Sequence, residues 1–251
     1  MTGRPELESL PAELGAPRRL PPDSVGLLEG ICTTRAIRRY EDEAVPDPVL
    51  RDILFAATRA PSGSNRQPFR FLVLTDGPKA KAAKALIAEA ARRAWGTKRS
   101  TDRYDEGSGA ERDSPKAAMA RTMQDYVDHL DVAPVLILGC LVRHRAPYSV
   151  EGASIYPACQ NLLLAARALG YGGVMTSWHV FVEAELRTLL GVPDEVFMAA
   201  AITIGRPMGH HGPVRRRPLN ELVFLDEWDA AAPFAHDPPG TRYTGAGPPA
   251  G

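Results

Sequence analysis

Four separated stretches of this 251-residue chain carry side chains able to hold a charged or heteroaromatic ligand, and none forms a conventional acid, base or nucleophile constellation. In Thr34-Arg-Ala-Ile-Arg-Arg-Tyr40, three arginines (Arg35, Arg38, Arg39) crowd one short run. Such a run is often just a solvated face, but arginine forks also match phosphate oxygens at fixed angles. Ala60-Pro-Ser-Gly-Ser-Asn-Arg-Gln-Pro-Phe69 reads first as a polar turn. A turn does not require two carboxamides, Asn65 and Gln67, beside a strand that leads into the core. An amide both donates and accepts, which suits the alternating edge of a heterocycle such as a pyrimidinedione.

The third stretch, Leu169-Gly-Tyr-Gly-Gly-Val-Met-Thr-Ser-Trp178, stands where a helix stops and a strand starts. That order is the reverse of the dinucleotide-binding fingerprint, so a Rossmann reading fails. Its glycines serve a helix stop and a tight turn, and would also let backbone N–H groups approach a flat ligand. The fourth, Arg215-Arg-Arg-Pro-Leu219, is by itself a charge run; together with Arg35 and Arg38 it can close a phosphate clamp from distant parts of the chain. His210-His211 is a poor metal pair, because adjacent side chains point apart and no cysteine or acid completes a set; no metal is expected.

The elements that must position these residues alternate between helix and strand periodicity. Helices are expected over 24–34, from Asp47-Pro48 to Pro61, from 78 to about 95, and over 115–130, 152–169 and 183–190. Strands are expected over 69–74, 135–142, 173–178 and 198–204, with a strand-like run at 222–225. Residues 96–113 read as a mobile loop. The helix over 152–169 is apolar almost all round, which demands cover on every side, in a domain centre or at a subunit interface. Single strands separated by helices point to an α+β layer architecture. One domain over 24–225 is expected between two extended arms, 1–23 and 226–251; such arms read as disordered tails, or, through Trp228, Phe234 and Tyr243 in the second, as a segment docking on a partner surface.

Thirty acidic and thirty basic side chains cancel, so no global field recruits nucleic acid or an anionic membrane. The longest apolar run, 132–142, is too short to span a bilayer, and the proline-rich start lacks the apolar middle of a secretory signal, so a cytoplasmic protein is expected. Cys32, Cys140 and Cys159 are too far apart for a paired-thiol site and are expected as buried small hydrophobes.

The four stretches, in this order, resemble the FMN-dependent nitroreductase family over roughly residues 26–225, and Gly152-Ala-Ser-Ile-Tyr-Pro-Ala-Cys-Gln-Asn-Leu resembles the start of its long central helix. The resemblance implies an α+β nitroreductase-like fold, a central, mostly antiparallel mixed sheet flanked by helices, in an intertwined homodimer with shared flavin sites. It implies FMN as cofactor and NAD(P)H as co-substrate, with a small electron-poor aromatic or quinone as acceptor and flavin N5, not a side chain, carrying the chemistry. By the same resemblance Arg35 and Arg38 match positions that hold the FMN phosphate and the reduced edge of the ring, and Arg215 and Arg217 complete the phosphate site. Pro61, Ser62, Asn65 and Gln67 match a segment that reaches the flavin across the dimer interface, while Met175 and Thr176 fall where a backbone N–H faces N5. Ala36 and Phe69 depart from the family's frequent serine and tryptophan; Ala36 removes one hydroxyl donor to the cofactor.

Donor and acceptor using one ring face in turn implies ping-pong kinetics. Substrate selection is expected in the 96–113 loop, with Trp95, Arg99, Tyr104 and Arg112 as lid residues. The halotyrosine dehalogenases on this fold use a lid with Glu-x-x-x-Tyr, and no such string occurs here. A biosynthetic flavin oxidase or dehydrogenase and a non-catalytic flavin-binding protein are the competing readings.

Overall fold

The computed structural model describes residues 25–209 and 214–244. The first arm, the expected cap at Ser24 and the His210-His211 pair lie outside the described residues. Within them stand six α-helices, α1 (Leu27–Thr33), α2 (Asp47–Ala57), α3 (Pro78–Thr101), α4 (Pro115–Asp128), α5 (Tyr156–Ala168) and α6 (Glu183–Leu190). Four strands, β1 (Phe69–Leu74), β2 (Val135–Val142), β3 (Gly172–Thr176) and β4 (Val196–Gly205), form one sheet in the order β1-β2-β4-β3, antiparallel at every pairing.

The strand sequences explain that order. β2 and β4 are almost continuously apolar and lie buried at the centre, whereas the shorter β1 and β3 take the edges. Leu50 and Ile53 of α2 and Ala158, Cys159 and Leu162 of α5 cover one face of the sheet. Ile87, Ala88 and Ala91 of α3, Tyr126 and Val127 of α4 and Leu186 of α6 cover the other. Close approach needs small residues: a Cβ on Gly139 of β2 would lie 2.9 Å from Cys159 Sγ. Lys84 of α3, almost fully buried, donates to the Ala133 carbonyl at 2.6 Å and ties the helix to the start of β2.

Several boundaries follow local chemistry. Ser114 caps α4 by accepting from Ala117 N at 3.1 Å, with Pro115 in the first turn. Gly191, at φ +69°, stops α6. The expected loop over 96–113 is corrected in its first part, since α3 continues to Thr101. Gly96 costs a helix interior about 1 kcal/mol, which the burial of Trp95 and an i,i+4 ion pair between Lys98 and Asp102 outweigh. No strand forms over 222–225: Leu219–Glu221 makes a 3₁₀ turn, and Phe224 alone bridges to Ala231. In the chain beyond it Ala232 and Ala235 are buried, while Trp228 and Phe234 stay exposed. Cys140 and Cys159 are buried as expected, and burial pushes their thiols up to about 11 and about 12; Cys32 is exposed on α1, contrary to expectation. Among the described residues no helix is long and apolar enough to cross a membrane.

Candidate functional site

The Arg-rich stretch leaves α1 in an extended conformation and runs beside edge strand β3, where Ile37 N donates to Gly173 O at 3.0 Å and Tyr40 bridges to Pro207. This contact explains the glycines. A Cβ on Gly172 would sit 2.5 Å from Ile37, one on Gly173 2.3 Å from the Thr203 carbonyl, and one on Gly205 2.8 Å from the Tyr40 ring. Internal packing, rather than the approach of a ligand, requires these glycines. Gly170, at φ +82°, follows the end of α5.

Arg38 is half-buried, and among the described residues it has no hydrogen-bond or ion-pair partner. Desolvation lowers its affinity for a proton; the Tyr126 and Tyr40 hydroxyls oppose that shift, and Arg35 reinforces it. Those phenols are themselves held in place. Tyr40 and Tyr126 each meet Thr203 Oγ1 at 2.8 Å, and Tyr40 also donates to Ile37 O at 2.6 Å. Burial pushes Tyr126 up to about 12 and Tyr40 well above its usual value, so both stay neutral. Trp178, just past β3, packs on Tyr126 with ring centroids 5.7 Å apart. Sequence reasoning missed Tyr126 and Thr203. The available signal was a lone hydroxyl in the otherwise apolar Ala-Ala-Ala-Ile-Thr-Ile run of β4, which must find a partner when buried.

A cleft of about 470 Å³ opens beside this stretch, lined by Arg35, Arg167 and Arg206 with Thr33, Thr34, Gly170 and Val214. Among the described residues no acidic side chain lines it. The C-terminal ends of α1 and α5 both reach it, and helix carbonyl ends repel anions. The attraction for an anion therefore rests on the arginines. Arg206 is ion-paired with Glu43 and stacks over Tyr171. Val214 brings the chain next to exposed Arg215 to the rim, while Arg217 is engaged by Glu221 at 2.8 Å. Met175 is 40% exposed on β3, and Thr176 Oγ1 donates to Ala201 O at 3.2 Å.

The amide-bearing stretch lies elsewhere. It precedes β1, whose first residue Phe69 pairs with Leu141 and so with Phe197 near the start of β4, whereas the arginine stretch sits by Gly205 at the other end. Eight residue steps of strand make roughly 27 Å. The two stretches thus occupy opposite edges and opposite ends of one sheet. Within 62–67 the backbone is left-handed at Ser64, Asn65 and Gln67 (φ +52°, +49° and +50°). For residues other than glycine each such conformation costs about 1–2 kcal/mol. Ser62 Oγ accepts from Gln67 N at 2.9 Å, Ser154 Oγ accepts from Gly63 N at 3.2 Å, and the amides of Asn65 and Gln67 stay exposed with Pro61.

The expected lid residues are drawn inward. Trp95 is buried, donates to Gln124 Oε1 at 3.1 Å and packs on Tyr104 at 5.1 Å, and Arg99 grips Asp105 and Gln124. Large apolar rings at helical spacing go to the α3–α4 contact, so Trp95 is corrected from lid to core; only Arg112 remains fully outward. Among the described residues no three His, Cys, Asp or Glu side chains gather as a metal site.

Residues 31–206 match the sequence model of the Nitroreductase family, and the chain belongs to that family. It is 29% identical to a protein named NADH dehydrogenase from Thermus thermophilus, over 76% of this chain and 91% of that one. An iodotyrosine deiodinase from Thermotoga neapolitana is 28% identical over 75% of this chain and 91% of its own. In three dimensions the fold is similar to a putative nitroreductase in complex with FMN from Desulfovibrio desulfuricans, at TM-score 0.58 and 33% identity, covering 80% of this chain and 96% of the other.

Proposed function

We propose that this protein is an FMN-dependent oxidoreductase of the cytoplasm that passes hydride from NAD(P)H to nitroaromatic, quinone or similar electron-poor acceptors, working as a homodimer with shared sites. Arg38 carries the reading. A half-buried guanidinium with no partner among the described residues is costly unless an anionic group completes it. Bound beside it, FMN would supply the hydride chemistry at N5, used in turn by donor and acceptor.

The chain's own residues fit that group. Arg35, with Arg167 at the same cleft, would face the phosphate, and Arg215, next to Val214 of the lining, would close the rim. Arg217 joins only by sharing its fork with Glu221. Arg38 holds the negative charge that the N1–O2 edge gains, and its poorly hydrated setting strengthens that contact. The open edge of β3 at Met175 and Thr176 offers backbone N–H toward N5, and Ala36 leaves that work to the backbone. Asn65 and Gln67, with Pro61 and Ser62 as their frame, cannot reach the same ring from their own chain and therefore serve the partner's.

A dimer also covers what one chain leaves open. Leu163, Leu164 and Ala165 on α5 are only partly buried, and Leu27, Leu28 and Ile31 on α1 are exposed. Trp228 and Phe234 of the second arm would dock on the partner. The deciding experiment is anaerobic titration of the purified yellow protein with NADH and NADPH, followed by a panel of acceptors. Bleaching by either nucleotide and recovery with an acceptor is expected. Colourless protein that leaves the fluorescence of added FMN unquenched overturns the reading.

A further inference from the structure

Behind the amide-bearing segment lies a second, smaller concavity of about 140 Å³, lined among others by Arg66, Arg143, His144, Arg145, Tyr148 and Glu151. Three guanidiniums there face one carboxylate. Glu151 is already committed, since Arg143 Nε and Nη2 donate to its two oxygens at 2.9 and 2.6 Å. Arg143 is further fixed over the Phe197 ring and Arg145 over the Tyr148 ring, at 4.8 and 3.7 Å from the centroids. Among the described residues, Arg66 and Arg145 have no acidic partner. Two uncompensated forks in one concavity focus a positive potential on a small volume. That volume suits a single phosphate group rather than a whole nucleotide.

Its place in the fold decides the ligand. Arg66 stands between Asn65 and Gln67, the two amides that serve the partner's flavin in the reading above. Of the two molecules that occupy such a site in turn, only the dinucleotide donor must carry phosphate. We propose that Arg66 and Arg145, backed by His144 and by the Arg143–Glu151 pair, hold a phosphate of NAD(P)H while its nicotinamide lies on the partner subunit's flavin. The inference rests on the shared flavin site. Arginine forks bind phosphate through paired, charge-assisted hydrogen bonds, so removing two of them should weaken a bound phosphate about tenfold or more.

The test uses the flavin-loaded protein and the exposed pair Arg66→Ala/Arg145→Ala. Calorimetry measures binding of adenosine 2′,5′-bisphosphate and of ADP-ribose, and steady-state kinetics measure KM for NADPH, NADH and the uncharged donor 1-benzyl-1,4-dihydronicotinamide. The expected result is a loss of about tenfold or more in nucleotide affinity and a matching rise in nucleotide KM, with the uncharged donor changed by less than about twofold. Loss confined to adenosine 2′,5′-bisphosphate and NADPH assigns the 2′-phosphate. Loss that extends to ADP-ribose and NADH assigns the pyrophosphate. Unchanged nucleotide affinities, or an equal rise in KM for the uncharged donor, overturn the proposal. Wild-type protein that binds the phosphate probes in a manner dependent on the two arginines, yet is not reduced by the uncharged donor, supports the phosphate site and places the failure in the flavin reading.

Discussion

Thr203 Oγ1 lies 2.8 Å from the hydroxyl of Tyr126, and the same oxygen meets Tyr40 from the other side, so one side chain of β4 links α4 to the arginine stretch. Tyr40 keeps a second partner in the Ile37 carbonyl, whereas Tyr126 has no second partner among the described residues. Thr203→Val should therefore strand the Tyr126 hydroxyl and cost about 1–3 kcal/mol, against about 0.5–1.5 kcal/mol for Tyr126→Phe. Urea denaturation of the two variants checks the order. Equal stability of Thr203→Val and the parent would contradict it.

Removing the charge of Arg38 should act on the flavin more than on the fold. With FMN seated as proposed, Arg38→Met would leave its phosphate contacts in the cleft and remove the cation beside N1 and O2. The bound, reduced flavin should then take up its N1 proton at higher pH, and a tenfold change in that proton's affinity corresponds to about 1.4 kcal/mol. Absorbance of the reduced protein across pH, with a midpoint potential measured at pH 8, reads this directly. A potential that stays put or rises would remove Arg38 from the role.

The distance between Arg38 and Gln67 makes a stronger test of site sharing. Arg38→Ala and Gln67→Ala homodimers should each turn over poorly, because every site lacks one of the two groups. A mixed dimer places both substitutions in one site and leaves the other intact. Refolding or co-expressing the two chains should recover activity that neither parent has, and failure to recover any would show that one chain supplies both groups.

His179 gives a pH dependence with a definite sign. It is fully buried, and its Nε2 lies 2.9 Å from the Met198 carbonyl and must donate to it, which leaves Nδ1 as a bare lone pair with no partner among the described residues. Protonation would put an unmatched N–H there, and desolvation accordingly lowers the folded pKa from 6.5, against smaller opposing effects of the Met198 contact and Glu183. Above pH 6.5 both folded and unfolded chains carry neutral imidazole and nothing is lost. Below it the unfolded chain binds a proton first, so stability falls by at most about 1.4 kcal/mol per pH unit until the folded value is reached. Glu151, held below 4.5 by Arg143, contributes only in more acid solution. Denaturation at pH 7.5 and 5.5 should show the parent losing more stability than His179→Gln; parallel losses would exclude His179 as the source.

Much of the fold was legible because strand and helix periods are local: β1, β2 and α6 fall on the expected residues. Misreadings arose where tertiary contacts override local cues. The third helix was expected to stop near residue 95, but Trp95 anchored to Gln124 carries α3 past Gly96. Gly172 and Gly173 looked like room for a ligand, and the room is filled by Ile37, Ile204 and Thr203. The phenol of Tyr126, whose field acts on Arg38, comes from a helix distant in sequence, so no spacing rule could have found it. Conversely, Asn65 and Gln67 stood out in the sequence as candidate ligand-holding amides, while their separation from Arg38 did not, because it depends on the strand order.

The turn over 62–67 is already built in the isolated chain, pinned by Ser62 and Ser154 and stiff at three left-handed residues. In the proposed dimer, that turn would arrive with its amides aimed. Little freedom is left for encounter to remove, so the entropy of ordering the turn burdens the folding of each chain and not the union of the pair.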